Sequence, residues 1–553
     1  MKKGRNMIAL LLAAIMLVSI LAGCQVEETP AGTTPTADPT GTEPPTTEPT
    51  APTVSAIPVT DNYRTFYQIF VGSFSDSSRD GIGDLRGIID RFDYLNNGDI
   101  NSEESLGVEG IWLSPIFSSP SYHKYDAKDY YQIDWRFGSE ADLKELIALC
   151  DARNVKLILD LAINHTSSQN EWFLKFKEAR INGKTDDPYY DFYSCVTGNE
   201  KVGGITYQKI AGIDCWYECN FSGDMPELNF DNEQVRQAAL DVAKYYLDLG
   251  VDGFRFDAVK YIYFGDTARS VAFWEWYMEE LRKIDPEIYC VGECWSGETE
   301  ILEYYSAMNC FNFAMSQAEG KIATAAKGGS ILTYTSYVDS FQEKILSKNP
   351  DGMAMSFLSN HDMDRIAGAF AIENYMRMAA NLYLLSPGSP TIYYGEEIGI
   401  RGSRGSENTD ANRRLAMLWG DDDLVRDPVG TTYDQNKQIK STVADQLADE
   451  NSLYHHYCKL LAIRRRHPEI ARGDYTSLSC GEKQFGGFLV EYDGVKVGIF
   501  HNTSNEAISY DLSTCKGLER YQFEALCEQI GMGNARLEGT ILTVDAYTSV
   551  ILK

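Results

Sequence analysis

The chain of 553 residues is 44 % hydrophobic and 12 % aromatic, enough apolar side chain for one large domain with satellites. Its formal net charge of −30 excludes a nucleic-acid partner, because phosphate binding needs clustered Lys and Arg. Acidity this strong suits a soluble protein with a neutral substrate, a description that sugars meet but that charge alone does not reserve for them.

The first residues read as a targeting segment. Lys2, Lys3 and Arg5 are followed by an apolar run from Met7 to Ala22, too short for a comfortable membrane span. Leu21-Ala22-Gly23-Cys24 resembles a bacterial lipoprotein signal, in which the cysteine becomes the lipidated first residue. An ordinary signal peptide with a coincidental cysteine is the other reading. Lipidation of Cys24 predicts an extracellular protein anchored to the outer face of the cell membrane, with the membrane touched only through the lipid. From residue 25 to about 60 the composition shifts to Thr, Pro, Glu and Ala, which cannot form a core and is expected to be an extended tether.

From Tyr63 onward short apolar runs alternate with amphipathic stretches. The runs begin at Thr65, Val108, Val155, Val251, Ile288, Cys310, Met353 and Thr391. Between them lie patterns such as EADLKELIALCDARN and EQVRQAALDVAKYYLDLG, with apolar residues three and four apart. Near-continuous apolar strands separated by helices indicate parallel strands buried on both faces, and eight such units predict an α/β fold, a (β/α)8 TIM barrel. The sixth run is weak on pattern alone. More than sixty residues separate Asn164 from Asn232, too many for a bare loop, so residues 166–230 are expected to be an inserted subdomain. The barrel then covers residues 61–470. Alternating strands follow, as in GFLVEYDGVKVGIFHN, and predict a C-terminal antiparallel β domain over 471–553. Eleven of the 12 cysteines follow Cys24; an odd number without regular spacing is read mostly as buried free thiols.

Catalytic groups in such barrels come from the C-terminal ends of strands. In Val251-Asp252-Gly253-Phe254-Arg255-Phe256-Asp257 the charged residues Arg255 and Asp257 share a face. A structural ion pair explains them equally well until the next strand is considered, which runs into Gly292-Glu293-Cys294-Trp295 and brings a second carboxylate to the same end. Ser359-Asn360-His361-Asp362 supplies a third, and Asn164-His165 closes the third strand. Paired carboxylates across a cleft are what glycoside cleavage requires: one attacks the anomeric carbon and the other protonates the departing oxygen. Glu293 needs a raised pKa for that task, whereas Asp257 must stay ionised, a form Arg255 favours.

The stretches DLAINH, GFRFDAVK, GECW and FLSNHD, in this order, resemble the four signature regions of the α-amylase family of glycoside hydrolases. FYQIFVGSFSDSSRDGIGDLRGI, YDAKDYYQID, MPELNF and PGSPTIYYGEEIG are similar to that family as well, so the likeness spans roughly Tyr63 to Lys553. The resemblance implies a barrel with an inserted domain after the third strand and a C-terminal β-sandwich. It implies Asp257 as nucleophile, Glu293 as acid/base and Asp362 as transition-state stabiliser. It further implies that Arg255 orients the nucleophile, that His165 and His361 bind hydroxyls of the sugar being cleaved, and that Tyr125 stacks under it. Lys260 and Arg365 match residues that contact neighbouring sugars. Lys124 departs from the pattern, standing where the family often has Gly. Ala258, next to the nucleophile, is Val in relatives that prefer α-1,6 bonds.

One metal site is expected from spacing. Asp76, Ser78, Asp80, Ile82 and Asp84 occupy alternate places of an EF-hand-like loop, but position twelve is Gly87, so no bidentate Glu completes it. A turn with solvated carboxylates is the other reading; similar loops in the family hold one structural calcium. The expected activity is retaining hydrolysis of α-1,4 bonds in starch, maltodextrins and maltooligosaccharides, an endo-acting reaction on an α-glucan substrate. An exo-acting α-glucosidase or a 4-α-glucanotransferase would use the same residues. A non-catalytic starch-binding protein would have lost the carboxylates that are all present here.

Overall fold

The computed structural model describes residue 56 and residues 58–420, 422–519 and 521–553. The expected signal segment with Cys24, and most of the expected tether, lie outside the described residues.

Seven strands form one parallel sheet: Phe66–Ile69, Gly110–Leu113, Lys156–Leu161, Gly253–Phe256, Tyr289–Gly292, Asn309–Cys310 and Thr391–Tyr393. The first strand pairs with both the second and the last, so the sheet curves back on itself. Residues 355–357 fill the remaining gap through isolated parallel bridges, Phe311 to Met355 and Phe357 to Thr391. The result is a (β/α)8 barrel whose seventh position is held by bridges instead of a full ladder. Five of the seven strands are buried at every residue, as near-continuous apolar runs demand when helices cover the outside.

The helices follow their sequence signals. Glu140–Ala152 starts at a capping box between Ser139 and Asp142 and buries Leu143, Leu146, Ile147 and Cys150 at helical spacing. Glu233–Leu249 buries Val235, Ala239, Val242, Ala243 and Tyr246, and stops at Gly250, whose φ of 103° suits only glycine well. Leu453–Arg466 returns the chain beneath the barrel. Its basic last turn is not a solvated face: the Arg464 guanidinium is buried and donates to the carbonyls of Leu384, Ser386 and Gly388.

After the third barrel strand the chain leaves the barrel. It forms helix Glu171–Ile181 and a small antiparallel sheet of Cys195–Val196, Tyr207–Lys209 and Trp216–Glu218. Bridges between His165 and Glu227, and between Tyr193 and Leu228, tie the end of this excursion to its beginning. Beyond Asp474 the chain is antiparallel. A five-stranded sheet contains Phe485–Tyr492, Val495–Asn502 and Thr548–Leu552, and a three-stranded sheet accompanies it. Cys480 and Cys515 are joined by a disulfide, while the other nine described cysteines are free, so the expectation of mostly free thiols holds with this one pair excepted. They lie 35 residues apart with no periodic spacing to announce them. Of the other nine described cysteines, seven are buried, as small hydrophobes are.

Candidate active site

Strand register builds the site. Asp160 on the third strand, Arg255 on the fourth and Val291 on the fifth are direct neighbours, so Asp257 and Glu293 emerge side by side just past the strand ends. Arg255 is fully buried, and its Nη1 donates to Asp257 Oδ1 at 2.6 Å and to Asp160 Oδ1 at 2.8 Å. Its Nη2 lies 3.7 Å from Glu293 Oε2. One guanidinium thus faces three carboxylates, and a fourth, Asp362, belongs to the same group.

The environments push these acids apart. Burial raises the Glu293 pKa to about 8; Arg255 opposes this, while the charges of Asp257 and Asp362 add to it. Asp362 feels burial too, but His361, Arg414 and Arg255 outweigh it and hold the carboxyl far below the usual range. Arg414 Nη2 donates to Asp362 Oδ1 at 2.7 Å, and His361 Nε2 lies 2.8 Å from Oδ2. Glu293 is therefore a protonated acid at neutral pH beside an ionised Asp362. Buried Asp160 is raised to about 6 despite Arg255.

The turn after Asp257 fixes Glu293. Ala258 sits in the left-handed region, φ 47° and ψ 47°, a conformation costing an L-residue roughly 1–2 kcal/mol. That turn aims the Ala258 N–H at Glu293 Oε2, 2.9 Å away, and the Val259 N–H at the Glu293 carbonyl.

Tyr125 donates from its hydroxyl to Asp160 Oδ2 at 2.8 Å, and its ring stacks on His361 with centroids 5.2 Å apart. One ring face is thus committed to His361. His165 is buried, with Nε2 3.2 Å from the Tyr125 carbonyl and Nδ1 2.9 Å from Asn164 Nδ2; burial lowers its pKa and keeps it neutral. Lys260 Nζ donates to the Trp295 carbonyl at 2.7 Å, which ties it to the segment that follows Glu293. Arg365 is buried and bonds the carbonyls of Arg413 and Tyr394, with its guanidinium over the Tyr393 and Tyr394 rings. Lys124 takes up the left-handed φ of 68° that explains why glycine suits this place, and its ammonium pairs with buried Asp134 at 2.6 Å. From Asp362 and Trp295 a cleft of about 560 Å³ leads toward Arg401, Tyr433 and Lys437.

Two charged members of the site are absent from the sequence-based assignment. Asp160 stands inside DLAINH, and a carboxylate within the apolar run of the third strand, in register with Arg255, was the signal for it. Arg414 lies on no strand and in no quoted motif, and nothing local announces it. Glu227, of MPELNF, is buried and accepts from Asn164 Nδ2, which links the inserted subdomain to the third strand end.

The Asp76–Asp84 loop closes on itself. Asp76 accepts from the N–H groups of Arg79 and Gly81, Asp80 accepts from Ile82 N–H, and Asp84 caps helix Leu85–Asp90 through Gly87 N–H. Ser78 Oγ donates to Asp76, which joins the first and third places of the loop. Among the described residues no three His, Cys, Asp or Glu side chains converge as a metal cage.

A closed barrel that gathers ionised and protonated carboxylates around one buried arginine at its C-terminal rim defines a glycoside-cleaving class of enzyme. Residues 68–473 match the α-amylase catalytic domain, and the chain belongs to the α-amylase family of glycoside hydrolases. It is 33 % identical to alpha-amylase 3 of Dictyoglomus thermophilum over 88 % of this chain and 92 % of that protein. It is 30 % identical to a 4-alpha-glucanotransferase of Thermotoga maritima, over 80 % and 97 % respectively. Among solved structures, Amy13B of Eubacterium rectale superposes with a TM-score of 0.82 at 32 % identity, covering 90 % of this chain and 96 % of that one.

Proposed function

We propose that this enzyme hydrolyses internal α-1,4-glucosidic bonds of starch, maltodextrins and maltooligosaccharides with retention of configuration. The observation that carries the reading is the split in carboxylate environments. Asp257 is held by Arg255 at 2.6 Å, whereas Glu293 is buried and pushed up to about 8. In this mechanism Asp257 attacks the anomeric carbon as Glu293 gives its proton to the departing oxygen, forming a glycosyl-enzyme ester and releasing the aglycone. Glu293, now ionised, takes a proton from water, whose oxygen opens the ester and restores both carboxyls. Asp362, ionised beside Arg414 and His361, faces the developing positive charge of the sugar.

A second reading, transfer of the glycosyl group to another sugar, shares the ester, and the glucanotransferase relative keeps it in view. NMR of a fresh maltoheptaose digest tests the chemistry: α product is expected first, and initial β product overturns retention. kcat/KM is expected to be higher on maltoheptaose than on maltose or isomaltose, with Lys260→Ala narrowing the gap. Faster turnover of the disaccharides moves the enzyme to the exo-acting glucosidases.

One calcium in the Asp76–Asp84 loop belongs to the same proposal. Asp76, Asp80 and Asp84 carboxylates, the Ser78 hydroxyl and the Ile82 carbonyl are the hard oxygen donors that this cation takes, and it would supply structural support alone. Lipid anchoring through Cys24 at the outer face of the membrane likewise rests on the lipoprotein-like sequence at residues 21–24.

A further inference from the structure

The cleft that leads away from Asp362 carries charge that a neutral glucan does not require. Its lining includes two carboxylates and four cations: Asp362, Asp364, Arg365, Arg401, Arg413 and Lys437. Both carboxylates are matched. Asp362 is bonded to Arg414 at 2.7 Å, and Asp364 to Arg413 at 2.7 Å. Arg365, Arg401 and Lys437 form no ion pair among the described residues, in a chain whose net charge is −30. Arg365 is buried behind the wall, where it bonds the Arg413 and Tyr394 carbonyls, faces the buried carboxyls of Glu396 and Glu397, and keeps its Nη2 without a hydrogen-bond partner. Arg401 and Lys437 are both exposed. They are also held in place relative to each other: Arg401 Nη1 donates to the Lys437 carbonyl at 3.4 Å, and buried Gln438 bonds both the N–H and the carbonyl of Arg401. Arg401 and Lys437 thus bring two exposed cations to one wall of the cleft, with Asp434 the acid beside them, and an anion there would find charge-assisted donors.

We propose that this wall is a subsite for an anionic substituent on the glucan, a phosphate monoester on a glucosyl unit next to the one being cleaved. The inference rests on the α-glucan-cleaving function proposed above and adds the class of substrate that the cleft selects. Arg401 and Lys437 contact the phosphate, and Arg365 acts on it through its field.

The test compares phosphorylated maltodextrins with the same preparation after phosphatase treatment, using the full-length enzyme. Wild type is expected to show a kcat/KM several-fold higher on the phosphorylated material, with the advantage shrinking as salt is raised. Arg401→Met and Lys437→Met should each reduce the ratio of the two kcat/KM values, and the double variant should bring it to one or below. Inorganic phosphate at millimolar concentration separates the two sources of the anion. Inhibition confined to the phosphorylated substrate supports the ester subsite, whereas activation or inhibition of neutral dextrin hydrolysis to the same extent assigns the wall to the free ion and overturns the proposal. A wild-type ratio of one, with good activity on neutral dextrin, also overturns it. No activity on either substrate instead removes the underlying function.

Discussion

Glu293 offers a test in which stability and catalysis move in opposite directions. In the folded protein the carboxyl holds its proton up to about pH 8, against an ordinary value of 4.5. Because the folded pKa is raised, the contribution of this group to stability is fully present below pH 4.5 and is lost progressively as pH rises to about 8. At pH 7 the unfolded chain has ionised the group and the folded chain has not. About 2.5 pH units at about 1.4 kcal/mol each give a penalty of ~3–4 kcal/mol, an upper figure because the neighbouring charges of Arg255, Asp257 and Asp362 act on Glu293 together. Glu293→Gln removes the titration and keeps an oxygen for the Ala258 N–H. The variant should therefore melt near wild type at pH 4.5 and increasingly above it toward pH 8. Its kcat should fall by roughly 10²–10⁴-fold, the usual worth of a positioned acid. The alkaline limb of kcat/KM, expected near pH 8 in wild type, should vanish from the residual activity. Melting curves in a pH series and a pH–rate profile suffice. A stability difference that does not change with pH, or a surviving alkaline limb, refutes the assignment of the raised pKa to this residue.

The other expectations are simpler. Arg414→Met removes the 2.7 Å bond to Asp362, a charge-assisted contact worth about 1.5–3 kcal/mol, so kcat/KM should drop roughly 10–100-fold. The acid limb of the profile should move up as Asp362 loses one of the charges that hold its pKa down; an unmoved limb would show that His361 and Arg255 keep it ionised without Arg414. If the Asp76–Asp84 loop holds calcium, chelation should lower the melting temperature, and Asp80→Ala should reduce that sensitivity; identical melting at verified zero calcium leaves the loop as a self-bonded turn. Mass spectrometry of the native N-terminus should find lipid on Cys24, and an unmodified terminal residue other than Cys24 rejects the anchor.

How much of this was legible in the sequence depended on whether a residue's partner lies along the strand pattern. Arg255 and Asp257 are two apart on a buried strand, and Glu293 ends the next one, so local periodicity was enough to bring them together. The barrel strands were legible for the same reason, because a strand covered on both faces must be apolar throughout. The seventh position was weaker in fact than in pattern: MAMSFLSNH reads as a strand, yet residues 355–357 make only isolated bridges. The disulfide between Cys480 and Cys515 depends on how two segments of the C-terminal domain meet, and no spacing encodes that.

Arg414 marks the boundary of sequence reading most clearly. It arrives on a loop some fifty residues after Asp362, bonds the Asp362 carboxylate and the His361 carbonyl, and lies 5.4 Å from the Phe70 ring near the end of the first strand. Its neighbour Arg413 faces a different acid, Asp364, at the same 2.7 Å. Two adjacent arginines thus carry separate duties, one at the reacting centre and one along the cleft. Asp160, Arg255, Asp257 and Glu293 are set by the register of neighbouring strands, which a repeating pattern can encode. The charge that Arg414 adds beside Asp362 comes from a segment with no such repeat. The strand-end motifs thus place Asp257 and Glu293 side by side, while Arg414, which bonds Asp362, comes from the loop after the eighth strand.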